Sequence, residues 1–111
     1  MRYPLCNRTV TVYRKTGDGV SRQVVNNCFY RYETAMTENE EGLRLNRTCL
    51  LVVPGDSFVP RVGDRVFDGI GPEQVDWQQL LPPLVEGLSE LNYAEPQYWL
   101  GKHCHTEAGR R

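Results

Sequence analysis

Residues 49–69 hold the pattern that most limits how this chain can fold. An apolar run ends at Pro54, and proline cannot donate a hydrogen bond to a sheet, so it marks the end of a strand. Gly63-Asp64 then supplies turn geometry that a residue with a Cβ adopts poorly. A short apolar segment follows and stops at Gly69. This succession predicts an all-β fold, a small β-barrel or sandwich with little helix, in which Pro54, Gly63, Asp64 and Gly69 are structural turn residues.

The length and the charge of the chain narrow its class. At 111 residues it has the size of one domain, so residues 1–111 are expected to form a single barrel with a modest core. The formal net charge is -1, which gives no general attraction to nucleic acid or to a membrane surface. No stretch is long and apolar enough to cross a bilayer, and the N-terminus lacks the apolar core of a secretory signal. We therefore expect a protein made and kept in a reducing cytoplasm, without a membrane partner.

Periodic patterns predict most of the strands. β-Branched and aromatic residues recur with a period of two, and turn residues such as Gly17-Asp18-Gly19 separate the runs. Asn26-Asn27 interrupts the second run and is expected to form a bulge. Residues 73–93 are expected to be irregular because Pro82-Pro83 breaks regular structure, and the tail from residue 106 is expected to be frayed. The predicted strands cover residues 9–14, 21–32, 43–53, 64–67 and 97–105.

The segment between the second and third strands changes character. It is acidic and polar and has few large apolar residues, which predicts a long projecting loop over residues 33–42. Ordering such a loop alone is unfavourable, so a loop of this kind gains order against a partner. The residues assigned to this partner-contact loop are Glu33, Thr34, Met36, Glu38, Asn39, Glu40, Glu41 and Gly42.

The four cysteines, Cys6, Cys28, Cys49 and Cys104, form no C-x-x-C pair. Cys28 and Cys49 lie within apolar runs that resemble strands, so they are expected to be small buried hydrophobic residues. The alternative is a disulfide framework, which would suit a small secreted chain. Counting free thiols in denaturant without reductant distinguishes these interpretations.

No group of residues has the pattern of a catalytic or metal site. His103-Cys104-His105 offers zinc-binding side chains, but neighbours in a strand face opposite sides and no second cluster supplies further ligands. The carboxylates of residues 33–42 lie on a predicted loop rather than in a cleft that fixes their separation. No serine lies in a G-x-S-x-G frame, and no glycine-rich turn precedes a Lys-Ser or Lys-Thr helix. We expect no catalytic, cofactor-binding or metal-binding residues and no enzymatic activity.

Six aromatic residues allow two interpretations. Together with Arg31 and Lys102 they could stack on the bases of a single strand, but packing in a barrel core explains them equally well. Near the Gly-Asp turn, Arg61 and Arg65 are expected to form only a weak surface ion pair with Asp64. The six aromatic residues are Phe29, Tyr30, Tyr32, Phe67, Tyr98 and Trp99.

The order of segments also carries a resemblance. The first strand, T-V-T-V-Y-R, precedes a glycine-rich turn, and a long second strand ends in C-F-Y-R-Y. A polar excursion follows, and the next strand ends at Pro54. G-D-R-V-F-D-G and a closing aromatic strand complete the order. This order resembles the small head-closure or head–tail connector proteins of tailed bacteriophages, including minor capsid proteins encoded in prophages of gut Firmicutes. The resemblance covers about residues 5–105. Pro82-Pro83 and the leucine-rich stretch to Leu91 depart from the simplest form of the pattern.

The resemblance implies a structural protein of the virion neck. Proteins of this family form a ring under the portal and adaptor, retain packaged DNA in the head and dock the tail. The 33–42 loop would contact a neighbouring subunit or ring. DNA would pass through the lumen without sequence readout, with acidic groups repelling it and arginines contacting its backbone. The implied partners are the chain itself as a homo-oligomeric ring, the portal or adaptor, and tail proteins.

Two alternative functions stay open. A tail-terminator or tail-completion protein of the same neck would differ in its partner but not in its chemistry. A small β-barrel module that binds single-stranded nucleic acid belongs to another class, and its affinity would fall steeply with salt.

Overall fold

The computed structural model describes residues 5–17, 19–39, 42–80 and 88–111. These residues form one sheet of seven strands with antiparallel pairing, and no helix occurs among them. The strands are β1 (Arg8–Thr16), β2 (Gly19–Asn39), β3 (Gly42–Pro54), β4 (Arg65–Asp68), β5 (Leu88–Glu90), β6 (Tyr93–Trp99) and β7 (Lys102–Arg110).

The sheet curls into a half-barrel, which confirms the predicted all-β fold class. Its strand order is β5-β4-β1-β2-β3-β7-β6. The two edge strands, β5 and β6, are consecutive in the chain and are joined at Leu91-Asn92. At this corner Leu91 N–H donates to the carbonyl of Asp64 and Asn92 N–H donates to the carbonyl of Gly109. β5 also contacts β3 and β7, so the curled sheet surrounds a core.

Alternate residues of the strands fill the concave face of this sheet. Val10 and Val12 of β1 are buried there with Tyr30 of β2 and Leu51 of β3. Because successive strand residues face opposite sides, this burial follows the period of two from which the strands are predicted. Each large apolar side chain buried in this way contributes about 1.5–3 kcal/mol. The complete core cluster is Val10, Val12, Val25, Cys28, Tyr30, Cys49, Leu51, Val53, Val66, Leu91 and Ala108.

A smaller cluster lies on the other face of β1, under residues 69–80. Tyr13 and Leu88 are completely buried in it. The Thr11 hydroxyl accepts a hydrogen bond of 2.8 Å from the Gly71 N–H, which ties the covering segment to β1. The Tyr13 hydroxyl donates to a carbonyl of the same segment at 2.8 Å. Residues 69–80 therefore bury a second apolar surface, although they contain no regular strand.

The bulge predicted at Asn26-Asn27 is confirmed. Arg8 pairs with Cys28 but Val10 pairs with Val25, so β2 has one residue more than β1 over this stretch. Asn27 has a φ of 57°, in the left-handed region that asparagine tolerates better than most residues. The bulge separates the half of β2 that pairs with β1 from the half that pairs with β3.

Pro54, Gly63, Asp64 and Gly69, the predicted turn residues, lie at a strand end or between strands. β3 ends at Pro54. Gly63, in the turn before β4, has a φ of 93°, and Gly69, directly after β4, has a φ of 95°. These angles lie in the region that favours glycine, because a Cβ would strain the backbone there.

Three predictions for the C-terminal part are wrong. Residues 97–105 are not one strand, because the chain reverses at Leu100-Gly101 between β6 and β7. Residues 106–110 are not a frayed tail, since β7 lies between β3 and β6 and buries Thr106 and Ala108 completely. Their small side chains give a weak hydrophobic signal. Within residues 73–93, Leu88–Glu90 form β5 rather than irregular chain, and Pro82-Pro83 lie outside the described residues.

Candidate interaction surfaces

The segment predicted to be a partner-contact loop is a paired ribbon. Residues 33–39 continue β2, residues 42–48 begin β3, and the pairing runs from Glu33 with Thr48 to Asn39 with Gly42. We term these two segments the ribbon. Backbone hydrogen bonds hold a strand pair whatever the polarity of its side chains, so the polar composition indicated exposure rather than a loop. Five of the predicted contact residues lie in β2: Glu33, Thr34, Met36, Glu38 and Asn39. Gly42 begins β3, and Glu40 and Glu41 lie outside the described residues.

The ribbon extends beyond the rest of the sheet. β1 pairs with β2 only as far as Cys28, and β7 pairs with β3 only from Cys49 onward. No other described strand therefore pairs with either edge of the ribbon. Glu33 and Glu38 are exposed on it. Contact between the ribbon and a partner stays a prediction.

One face of the ribbon continues the core face of the sheet. Because strand residues alternate between faces, position 36 shares the face of the buried Tyr30, and positions 43 and 45 share the face of the buried Leu51. Met36 pairs directly with Leu45 in the register, and Leu43 is the next position on that face of β3.

The turn between β6 and β7 exposes a second apolar surface, which we term the hairpin tip (residues 98–103). Tyr98 and Trp99 are each 63% exposed, and Leu100 is 91% exposed. Trp99 pairs with Lys102, so Leu100 and Gly101 form a two-residue turn with φ values of 51° and 77°. Two positive φ values are typical of a type I′ turn, in which Asn-Gly is favoured. Leu-Gly is not a recognised turn signal, so no pattern in the sequence predicts this reversal.

The ribbon and the hairpin tip lie at opposite ends of the molecule. β3 begins in the ribbon at Gly42 and ends at Pro54, which pairs with His105 next to the hairpin tip. A strand of 13 residues spans about 40 Å. The longest dimension of the molecule is 48 Å. The sheet therefore separates the two surfaces by most of the length of the protein.

A buried ion pair fastens the turn before β4 to β1. Asp64 is 2% exposed, and its carboxylate accepts hydrogen bonds from Arg14 Nε at 2.9 Å and Arg14 Nη2 at 2.7 Å. The backbone N–H of Arg61 donates a third at 2.9 Å. The bond to Asp64 raises the pKa of Arg14. The expected surface ion pair of Asp64 with Arg61 or Arg65 is wrong, because the partner lies 50 residues away in sequence, where no local pattern reveals it.

Arg65 has a structural role of its own. It is 8% exposed, and its guanidinium lies 3.8 Å from the centroid of the Trp77 ring. Its Nη1 donates to the carbonyls of Trp77 at 2.6 Å and Leu80 at 2.7 Å. Arg65 therefore holds residues 69–80 against the sheet rather than presenting a charge to a ligand.

The structure separates the six aromatic residues proposed to stack on bases. Tyr30 is 3% exposed in the core, and Tyr32 and Phe67 pack against the two apolar clusters. Only Tyr98 and Trp99 are largely exposed. These two are consecutive in β6 and face opposite sides of the hairpin, so they do not form one stacking platform.

The side chains of His103-Cys104-His105 do not converge. His103 Nε2 lies 3.0 Å from Thr106 Oγ1, whereas His105 Nε2 lies 3.2 Å from a carboxylate oxygen of Glu107. A register shift between Gln97 and Tyr98 accompanies this part of β7. Within the ranges that the structure describes, no group of three His, Cys, Asp or Glu side chains is placed to hold a metal ion.

Two of the four thiols belong to the core. Cys28 is 0% and Cys49 is 6% exposed, as predicted for small hydrophobic residues. Burial raises the pKa of Cys28 to about 11 and also raises the pKa of Cys49. Cys6 and Cys104 are partly exposed, and all four cysteines are free thiols.

Comparison of the chain with protein-family models, with curated proteins and with solved structures finds no match. No helix that could span a lipid bilayer occurs in the described part of the chain.

Proposed function

We propose that this chain is a non-enzymatic structural protein of the neck of a tailed phage. In this role it forms a ring that extends the portal or adaptor, retains packaged DNA and docks the tail. The proposal rests chiefly on one observation, the placement of the ribbon and the hairpin tip at opposite ends of one sheet. A ring within a stack needs separate surfaces for the components above and below it, and this arrangement supplies them.

The fold suits a rigid structural component of a protein assembly. The ribbon and the hairpin tip are both formed by strands that also pair within the main sheet. The backbone hydrogen bonds of the sheet, rather than a loop, therefore fix the distance between them. A rigid subunit holds its two partners at a fixed distance and orientation relative to each other. A ring arises from such subunits when a heterologous contact between copies closes on itself.

The charge of the chain is compatible with a channel for DNA. A net charge of -1 gives the chain no overall electrostatic attraction to the backbone of DNA. DNA can then slide past the ring without sequence readout. The proposed location is the head–tail junction of the virion, after synthesis in the cytoplasm of the bacterial host.

Capture of partners from phage-producing cells tests this function. Tagged protein is recovered from an induced lysogen or from infected cells, and its partners are identified by mass spectrometry. Portal, adaptor or tail proteins among the partners are the expected result. Glu38→Lys on the ribbon should lower their recovery, whereas Glu73→Lys, at an exposed position outside the ribbon, should not. A partner set without virion proteins would overturn the proposal.

The same experiment separates the alternatives. Tail proteins without portal or adaptor would favour a tail-terminator or tail-completion protein. If nucleic acid dominates instead, quenching of Trp99 fluorescence by single-stranded oligonucleotides, titrated at several salt concentrations, measures the competing activity. Affinity that falls steeply with salt would support the nucleic-acid-binding module.

A further inference from the structure

We propose that a groove beside the end of β1 binds an extended peptide segment of a partner protein in which an acidic side chain stands next to an apolar one. The groove consists of two adjoining clefts of about 420 and 490 Å³, which meet at Lys15 and Trp77. Residues 61–64 and Glu90 border the first cleft, and the start of β2 and residues 75–78 border the second. Both volumes are typical of ligand sites, which span roughly 300–1,000 Å³. The groove shares no residue with the ribbon or the hairpin tip, so the inference goes beyond the neck function and does not depend on it.

The first cleft carries positive charge that no acidic group of the protein offsets. Lys15 and Arg61 line it and are exposed, and neither forms an ion pair within the described part of the chain. Asp64 also lines this cleft, but Arg14 binds its carboxylate at 2.7 Å. Lys15 and Arg61 are therefore left to attract an acidic group from outside.

Apolar surface lies beside these cations. Val62 lines the first cleft and is 64% exposed, and the side chain of Trp77 lines both clefts. The Arg65 guanidinium lies 3.8 Å from the centroid of the Trp77 ring, so the ring is held in place before a partner arrives. A wall that is already fixed loses little conformational freedom on binding. Tryptophan and arginine are also enriched among the residues that dominate binding energy at protein interfaces.

The same lining favours a peptide over nucleic acid. Glu90 lines the first cleft and Asp76 the second, so a run of phosphates along the groove would meet negative charge in both. A single carboxylate can instead approach Lys15 and Arg61. The exposed Val62 side chain offers nothing to a phosphate, whereas an apolar side chain of a peptide can pack on it. Two adjoining clefts also accommodate more than one side chain of an extended segment.

Fluorescence anisotropy with labelled peptides tests the site. The probe is fluorescein-labelled Gly-Asp-Leu-Asp-Leu-Gly, and two further peptides replace its leucines by serine or its aspartates by lysine. The wild-type protein should bind the probe at least about fivefold more tightly than the serine peptide, because the leucines bury apolar surface. It should not bind the lysine peptide. Affinity for the probe should fall as salt is added, since the cations of the groove are exposed.

Matched variants separate the groove from the rest of the surface. Arg61→Glu should weaken binding of the probe by about tenfold or more, because it places like charge against the aspartates. Lys102→Glu makes the same change in charge at an exposed position outside the groove and should leave the affinity unchanged. Val62→Ser should weaken binding of the probe about threefold but not that of the serine peptide, since only the leucines contact that wall. In a Trp99→Phe background Trp77 is the only tryptophan, and its emission should change as the probe binds. Circular dichroism checks that each variant folds.

Four results would overturn the inference. These are a probe that does not bind, a Lys102→Glu effect as large as that of Arg61→Glu, an emission of Trp77 that stays unchanged at saturation, and a single-stranded oligonucleotide that binds more tightly than the probe and is lost in Arg61→Glu. The last result would identify a nucleic-acid site instead. Capture of virion proteins from phage-producing cells tests different surfaces, so the neck function and this groove can each fail while the other holds.

Discussion

The ion pair between Arg14 and Asp64 gives the most direct test of how this barrel is held together. The two side chains share two hydrogen bonds of 2.9 and 2.7 Å, and Asp64 is 2% exposed. Replacing Arg14 by Ala leaves the Asp64 carboxylate without its charged partner, and removal of one partner from a buried pair costs about 3–5 kcal/mol. Replacing Asp64 by Ala should cost less, about 2–3 kcal/mol, because the Arg14 side chain is 26% exposed and can regain part of its hydration.

A second Arg–Asp pair in the same region is a matched control. Arg8 and Asp68 also join β1 to β4, but their charged atoms are 3.7 Å apart and their side chains are 55% and 45% exposed. An exposed pair of this kind contributes at most about 1 kcal/mol. Removing its carboxylate should therefore change stability little.

Urea denaturation measures these differences. The four single alanine variants and the two double variants are unfolded at constant pH, with tryptophan fluorescence and far-ultraviolet circular dichroism as separate probes. In a separate thermal measurement, loss of 3 kcal/mol of unfolding free energy should lower the melting temperature by about 12 °C in a domain of this size. The Arg14 and Asp64 double variant should be more stable than the sum of the single effects predicts, since the second substitution removes a group that the first left unpaired. Additive effects, or an Asp64→Ala cost no larger than that of Asp68→Ala, would refute the reasoning.

The remaining predictions concern packing and the thiols. Gly109→Ala should destabilise the fold by about 3 kcal/mol or more in urea denaturation, because the new Cβ would lie 2.1 Å from the carbonyl oxygen of Cys49; Gly19→Ala, where the nearest atoms are 3.8 Å away, should cost far less. The pKa of Cys28 is about 11 in the folded state against 9.0 ordinarily, so unfolding releases a proton between these values. Stability from this thiol is complete below pH 9 and should fall by about 2 kcal/mol as pH rises to 11, and Cys28→Val should abolish that part of the pH dependence. A thiol reagent should modify Cys104 in the native protein well before Cys28, and simultaneous modification would contradict the burial of Cys28.

The sequence predicted those features that local patterns determine. The period of two located β1, β3 and β4 within two residues at each end, but β2 continues seven residues beyond its predicted end at residue 32. The Asn26-Asn27 pair identified the bulge because asparagine tolerates the angles that a bulge requires. Pro54 marked the end of β3 because proline has no N–H to donate. In each case the conformation depends on the residue itself and its immediate neighbours.

Prediction failed where the deciding contact was distant or where the side chains were small. Arg14 and Asp64 show no pattern in sequence, and only the folded sheet brings them together. Thr106 and Ala108 lie in β7 between β3 and β6 and are completely buried, although they lack the large apolar side chains by which strands are recognised. The polar composition of residues 33–42 predicts a loop, but a strand pair is held by backbone hydrogen bonds whatever the polarity of its side chains.

The strand pairing of the acidic segment affects how it can bind a partner. A flexible loop would have to lose conformational freedom on meeting a partner, and that loss weakens binding. A ribbon that is already hydrogen-bonded offers its face in a fixed orientation, so little further ordering opposes association. Its two exposed edges are also free, within the described residues, to accept a strand from another chain. Charged residues such as Glu33 and Glu38 oppose indiscriminate pairing at such edges, which leaves recognition to a partner whose shape and charge fit the ribbon.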